Sequence, residues 1–212
     1  AMPEFQRISF APEFLDYQSG MDLQQRVHAE VVGNKTPNTV LLLEHSPVYT
    51  AGKRTEEHEL PDDGSAFYET NRGGKITWHG PGQLVGYPIM HLPQPIDVVA
   101  YVRWLEEVLI QVIANFGVVG QRVEKRTGVW VETDSGLEKV AAIGIRISEK
   151  VTMHGFALNC NNSLEPYEHI VACGIDDART TTLSRLTGTE ITPLQAATLV
   201  EQLMGEIPNA RA

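Results

Sequence analysis

Covalent chemistry in this chain, if there is any, rests first on its two cysteines, Cys160 and Cys173. Cys173 lies in V-A-C-G-I-D-D, between Ala172 and Gly174 and outside any periodic strand pattern, where a thiol can be reached. Cys160 closes an apolar, strand-like run and reads as a small buried hydrophobe, the commonest fate of a free cysteine. An unperturbed thiol, with a pKa of about 8.5, needs a nearby cation to become a thiolate at neutral pH. Lys139, His79 and His154 are the cations on offer. A cysteine paired with lysine suits acyl transfer through a thioester, with backbone N–H groups stabilising the oxyanion. Spacing by itself leaves the pairing open. There is no C-x-x-C and no second cysteine pair, so no metal site is expected.

The second chemical signal is the stretch from Arg72 to Pro88, R-G-G-K-I-T-W-H-G-P-G-Q-L-V-G-Y-P. Gly73, Gly74, Gly80, Gly82 and Gly86 crowd into it with Pro81 and Pro88. Glycine loses the most backbone entropy on folding, so this density implies positive φ or the close approach of another group to the backbone. Ile76 and Trp78 on one side, and Leu84, Val85, Tyr87 and Ile89 on the other, predict two short strands joined by a turn from His79 to Gln83. Arg72, Thr77 and His79 would be displayed on that structure. A nucleotide site is not expected. Near Gly52-Lys53, Pro47 stands where a phosphate loop needs its first glycine, and strand-like residues follow Gly80-Pro81-Gly82 where a dinucleotide fingerprint needs a helix.

The elements that must position these groups follow from periodicity. Phe5 to Phe10 reads as a strand, Asp16 to Val32 as a helix stopped by Gly33-Asn34, and Thr39 to Glu44 as a strand buried on both faces. Glu56 to Ser65 reads as a mobile acidic loop. Asp97 caps a predicted helix from Val98 to Phe116 closed by Gly117, with an apolar stripe through Tyr101, Leu105, Val108, Val112 and Phe116. Arg122, Lys125 and Arg126 precede a strand over Gly128 to Val131. Lys139 to Ile147 and Val151 to Cys160 form a hairpin whose simplest register sets Gly144 opposite Gly155 and Lys139 opposite Cys160. Facing glycines would leave a groove able to admit an apolar chain. Thr192-Pro193-x-Gln195 is a capping box opening a helix to about Met204. Helices and short strands without a regular βαβ repeat predict an α/β protein of α+β type, a mixed β-sheet flanked by helices.

Composition narrows the function classes. The 212 residues, 42% of them hydrophobic, fit one domain with a substantial core. The net charge of −10 argues against nucleic acid or anionic membranes as partners. The first ten residues lack a basic-then-apolar signal pattern and no run approaches a membrane span, so a cytoplasmic protein with free thiols is expected.

The Arg72 to Pro88 stretch resembles the R-G-G-x-x-T-x-H-x-x-G-Q-x-x-x-Y signature of the octanoyltransferases of lipoate biosynthesis, the LipB family, at every specified position. The similarity extends through L-L-E-H-S-P-V-Y-T-A-G (Leu42 to Gly52), K-V-A-A-I-G-I-R-I (Lys139 to Ile147), H-G-F-A-L-N (His154 to Asn159) and A-C-G-I (Ala172 to Ile175). The resemblance implies the fold of the biotin and lipoate protein ligase catalytic domain, as a single domain over residues 1–212. It also implies transfer of an octanoyl group from octanoyl-acyl carrier protein to a lysine on the lipoyl domains of 2-oxoacid dehydrogenase E2 subunits and on glycine cleavage H protein, with no cofactor. The family's thioester-forming cysteine falls on Cys173 and its pKa-lowering lysine on Lys139. Its acyl-binding stretches fall on Arg72, Gly73, Gly74, Lys75, Ile76, Thr77, Trp78 and His79, on Ala142, Ile143 and Gly144, and on Gly155, Phe156 and Ala157. The rivals are an ATP-dependent lipoate or biotin ligase, a thioesterase, and a non-catalytic module that binds acyl carrier or lipoyl domains.

Overall fold

A computed structural model describes residues 2–171 and 179–209, a range that omits Cys173. The chain runs β1 (Glu4–Ser9), α1 (Tyr17–Val32), β2 (Thr39–Leu43), β3 (Val48–Ala51), β4 (Phe67–Glu69), β5 (Thr77–His79) and β6 (Gln83–Ile89). It continues through α2 (Val98–Ala114), β7 (Gly120–Val123), β8 (Arg126–Thr133), β9 (Gly136–Ser148), β10 (Val151–Asn159), β11 (Arg179–Thr180), α3 (Leu183–Thr187) and α4 (Pro193–Glu206). The large sheet has the order β1-β2-β6-β10-β9-β8-β7, with β11 added beside β9, and β4-β3-β5 form a small second sheet. Parallel pairs (β1 with β2, β11 with β9) and antiparallel pairs coexist, which is the mixed α+β arrangement expected.

Both faces of the large sheet are covered, and strand alternation decides which side chain goes where. Val40, Leu42, Leu84 and Leu158 pack toward α2 and α4, while Leu41, Leu43, Val85 and Ala157 pack toward α1. The whole of β2 is buried, as its unbroken apolar run requires. Asp16, Asp97 and Thr192 cap α1, α2 and α4 through side-chain oxygens, and Thr192 with Gln195 completes the capping box. Among the described residues no helix is long and apolar enough to cross a membrane.

Four expectations change. Helix α2 ends at Ala114, because the backbone tightens into a turn through Asn115 and Phe116 before Gly117 takes a φ of 77°. The strands on either side of the His79 to Gln83 turn enter different sheets, β5 pairing with β3 and β6 with β2 and β10. The acidic stretch after Glu56 contains a 3-10 turn at Glu57–Glu59, anchored by a buried Glu59 whose Oε2 lies 2.9 Å from Lys75 Nζ. In the β9–β10 hairpin Gly144 does face Gly155, but Lys139 does not face Cys160. The registered pairs reach Leu158–Ala141, β11 then takes β10's place with Thr180 beside Lys139, and the Cys160 N–H goes to the Gly82 carbonyl.

Both facing glycines line a cavity, as expected, and Gly155 has a packing reason as well. Pro88 sits in the central strand β6, where it offers no N–H to the ladder. Opposite it, His154 takes a left-handed φ of 57°, and the place of a Gly155 Cβ is occupied by the Gly86 carbonyl and the Pro88 ring. Gly155→Ala therefore overpacks the β6–β10 contact. It should lower stability by about 1–3 kcal/mol, read from the midpoint of urea unfolding.

Candidate functional site

The site begins where two neighbouring strands part. β8 pairs with β9 as far as Val129–Ala141, with an irregularity between Val129 and Trp130. Gly128 makes the parting possible, since with a φ of 129° it lies so close to β9 that a Cβ would fall 2.6 Å from the Ala141 carbonyl oxygen. Its N–H is held by the Glu106 carboxylate of α2 at 3.0 Å. Past Ala141 the loop from Arg72 to Gly74 comes to β9 instead, and the Gly73 N–H donates to the Ile145 carbonyl at 2.9 Å. A cavity of about 500 Å³ opens between these segments.

Most of the residues expected to bind substrate meet in this cavity. Arg72, Gly73, Gly74, Lys75, Thr77 and His79 line it from one side. Ala142, Ile143 and Gly144 of β9, and Gly155, Phe156 and Ala157 of β10, line it from the sheet. Ile76 and Trp78 lie elsewhere, buried with Tyr49 and Ala51 in the satellite core under the small sheet. Arg72 lines the wall with its guanidinium already engaged. It donates to the carbonyls of Gly73, Lys75 and Thr50 and to the Thr50 hydroxyl at 2.7–2.9 Å, so it braces the loop.

The inner wall is aromatic and uncharged. His79 Nδ1 lies 2.7 Å from Gln83 Oε1, while the Gln83 amide nitrogen donates to the Trp78 carbonyl and Asn159 Oδ1. Gln83 Oε1 can only accept, so His79 carries its proton on Nδ1. His45 donates from Nδ1 to the Leu15 carbonyl and accepts at Nε2 from the Tyr87 hydroxyl at 2.7 Å. Burial lowers the pKa of His45 to about 4. It lowers those of His79 and His154 to about 3, helped for His79 by repulsion from His45 and for His154 by Arg72. Of the three groups considered as partners for a thiolate, His79 and His154 are therefore uncharged at neutral pH, which leaves Lys139.

Lys139 is 7% exposed, and its Nζ lies 5.3 Å from the centroid of the buried Trp130 ring. Its backbone carbonyl accepts the Thr181 N–H at 2.9 Å, and Thr180 is its partner on β11. Cys173 lies outside the described residues, in the segment between Val171 and Arg179. The chain leaving that segment therefore runs directly alongside Lys139. Cys160 is fully buried, its thiol pKa pushed up by burial, which fits the structural role expected of it.

The family model of the lipoyl protein ligase A/B catalytic domain matches residues 16–205. A protein of Leifsonia xyli subsp. xyli named octanoyltransferase is 54% identical over 201 residues, covering 94% of this chain and 90% of its own. This chain belongs to the lipoyl protein ligase A/B catalytic domain family, among its octanoyltransferases. Solved structures share the fold at much lower identity. A bipartite lipoate protein ligase from Thermoplasma acidophilum, solved with its E2 lipoyl domain, superposes with a TM-score of 0.70 at 8% identity over 97% of this chain and 83% of its own. Biotin protein ligase from Aquifex aeolicus does so at 0.58 and 12% over 97% and 68%.

The cavity of this octanoyltransferase also has walls that sequence reasoning did not assign. Tyr17 and Tyr87 close its inner end with His154, and Val98, Val102 and Trp130 add apolar surface. Tyr87 belonged to the signature stretch and could have been found there. Tyr17 had no signal beyond its place on the apolar stripe of α1.

The neutral histidines set a pH dependence. Their folded pKa values lie below the ordinary 6.5, so the unfolded chain takes up protons first as pH falls. Above pH 6.5 they cost nothing. From 6.5 toward 4 each should remove up to about 1.4 kcal/mol of stability per pH unit. In urea unfolding across that range, His154→Gln should lose less stability than the wild type.

Proposed function

We propose that this octanoyltransferase, acting as a single catalytic domain, passes the octanoyl group through Cys173 with Lys139 as its partner. Lys139 takes the Cys173 thiol proton, Sγ attacks the carbonyl carbon of a thioester donor, the bond from that carbon to the donor sulfur breaks, and the departing thiolate takes the proton from Lys139, which is left as the neutral amine. The octanoyl tail then lies in the cavity against Ala142, Gly144 and Ala157. In the second step a lysine amine of the acceptor attacks the Cys173 thioester, the sulfur leaves as thiolate, and Lys139 takes the proton lost by the amine. The energy is already stored in the thioester, so no cofactor enters. The observation that carries this reading is the placement of Lys139, buried against Trp130, with the chain from the Cys173 segment running beside it.

The donor in this reading is octanoyl-acyl carrier protein, and the acceptors are the lipoyl domains of E2 subunits and glycine cleavage H protein, all in the cytoplasm. Acidic partners meet a chain of charge −10, so the rim of the cavity matters. Arg54, Lys125 and Arg126 line its mouth, whereas Arg122 is paired with Glu106 and Glu107 and Lys75 with Glu59. Among the described residues none of these three forms a salt bridge, and together they would steer an acidic protein toward the entrance. Lys125→Glu should slow association with acyl carrier protein about ten-fold at low salt, measured by stopped flow, with the difference shrinking as salt rises.

Intact mass after incubation with octanoyl-acyl carrier protein, without ATP, tests the covalent step. Wild type should gain one octanoyl group and Cys173→Ser should form no thioester. Lys139→Ala should acylate about 100-fold more slowly or worse. Transfer that requires ATP would favour a ligase.

A further inference from the structure

The open space beside Lys139 does not end with the acyl cavity. A second groove of about 440 Å³ lies between the N-terminal half of α2 and the tip of the β7–β8 hairpin, with Val98, Val99 and Val102 on one wall and Val123 on the other. That volume falls within the roughly 300–1,000 Å³ usual for small-molecule sites. Val98, Val102, Lys125, Arg126 and Thr127 line both spaces, so the groove and the cavity meet along these residues. The junction is next to the lysine. Gly128 follows Thr127, and a Cβ on Gly128 would lie 2.8 Å from Lys139 Cε and 3.6 Å from its Nζ.

A thioester extends two ways from its reacting centre, with the acyl tail on the carbonyl carbon and the thiol's own chain on the sulfur. A thioester held at this junction has one space for each. The groove differs from the acyl cavity in its rim, where Arg103, Lys125 and Arg126 form no salt bridge among the described residues and Arg122 is taken up by Glu106 and Glu107. Against those three cations the rim sets one carboxylate outside the Arg122 pairs, that of Glu124. Val98 and Val99 are 47% and 62% exposed, apolar surface that a bound chain would cover. Apolar walls under a cationic rim match a slender chain of methyl, methylene and amide groups ending in a phosphodiester, which is the arm by which acyl carrier proteins hold their thioesters. We propose that this groove binds the phosphopantetheine arm of the acyl donor, which leaves the reacting carbonyl past Thr127 while the octanoyl tail enters the cavity. The inference rests on the thioester reading above and adds to it the place of the donor's arm.

The test compares two small donors, octanoyl-phosphopantetheine and octanoyl-N-acetylcysteamine, which share the thioester and the tail and differ in the arm. The second-order rate constant for acylation of Cys173 is read from intact mass. Wild type should favour the full arm about ten-fold or more, since burying two CH2 groups already suffices for that. The preference should shrink toward one in Val99→Glu and in Val123→Glu, which place a carboxylate on opposite walls of the groove and lie outside the acyl cavity. Equal rates for the two donors in wild type, or an unchanged ratio in either variant, overturns the proposal. So does a loss confined to transfer from preformed octanoyl-enzyme to a lipoyl domain, which would give the groove to the acceptor. The wild-type arm keeps the two readings apart, because a wild type that forms no acyl-enzyme with either donor overturns the Cys173 mechanism itself, and this inference with it.

Discussion

The structure depends on β8 leaving β9 at Ala141. Up to that pair the two strands are joined as sheet with one irregularity, and beyond it the half-buried β9 would leave backbone groups on its β8 side without a strand partner. The Arg72 to Gly74 loop answers part of this need through the bond from Gly73 to Ile145, and Arg72 fixes the loop by donating to four oxygens around it. The gap between strand and loop is the cavity. Lys139 sits at the end of β9 where the ladder still holds, packed under Trp130, so its ammonium has a fixed position relative to the opening.

Electrostatics divide the same cavity into two regions. At the inner end His79 and His154 are kept neutral by burial, each with its ring fixed by a short hydrogen bond. These neutral rings and the small residues beside them suit an aliphatic chain. At the mouth Arg54, Lys125 and Arg126 supply the positive potential that the chain as a whole lacks. The left-handed backbone at His154 is the strained point in this arrangement, and the bonds from its N–H to Gln24 and from its ring to Asn71 hold it there.

Much of this was legible in the residue types. The unbroken apolar run of β2, the Asp97 and Thr192 caps and the Gly144–Gly155 register all followed from local rules. What could not be read was anything set by a third strand. The hairpin register led to Lys139 opposite Cys160 because β11, two residues long and distant in sequence, gives no local signal of replacing β10. Ile76 and Trp78 belonged to the signature stretch yet face another core, since alternation along β5 turns them away from Thr77. The glycine pair was legible as the wall of a groove, but the packing reason for Gly155, the Gly86 carbonyl and Pro88 ring on the neighbouring strand, was not.

The claim on which the account turns is that the acyl chain occupies the opening where β8 leaves β9. A crystal structure of the octanoylated enzyme tests it most directly. The account predicts continuous density from Cys173 past Lys139 into the cavity lined by Ala142 and Ala157. Density that instead followed the side groove between Val99 and Arg122, or that lay in solvent with the cavity filled by water, would contradict it.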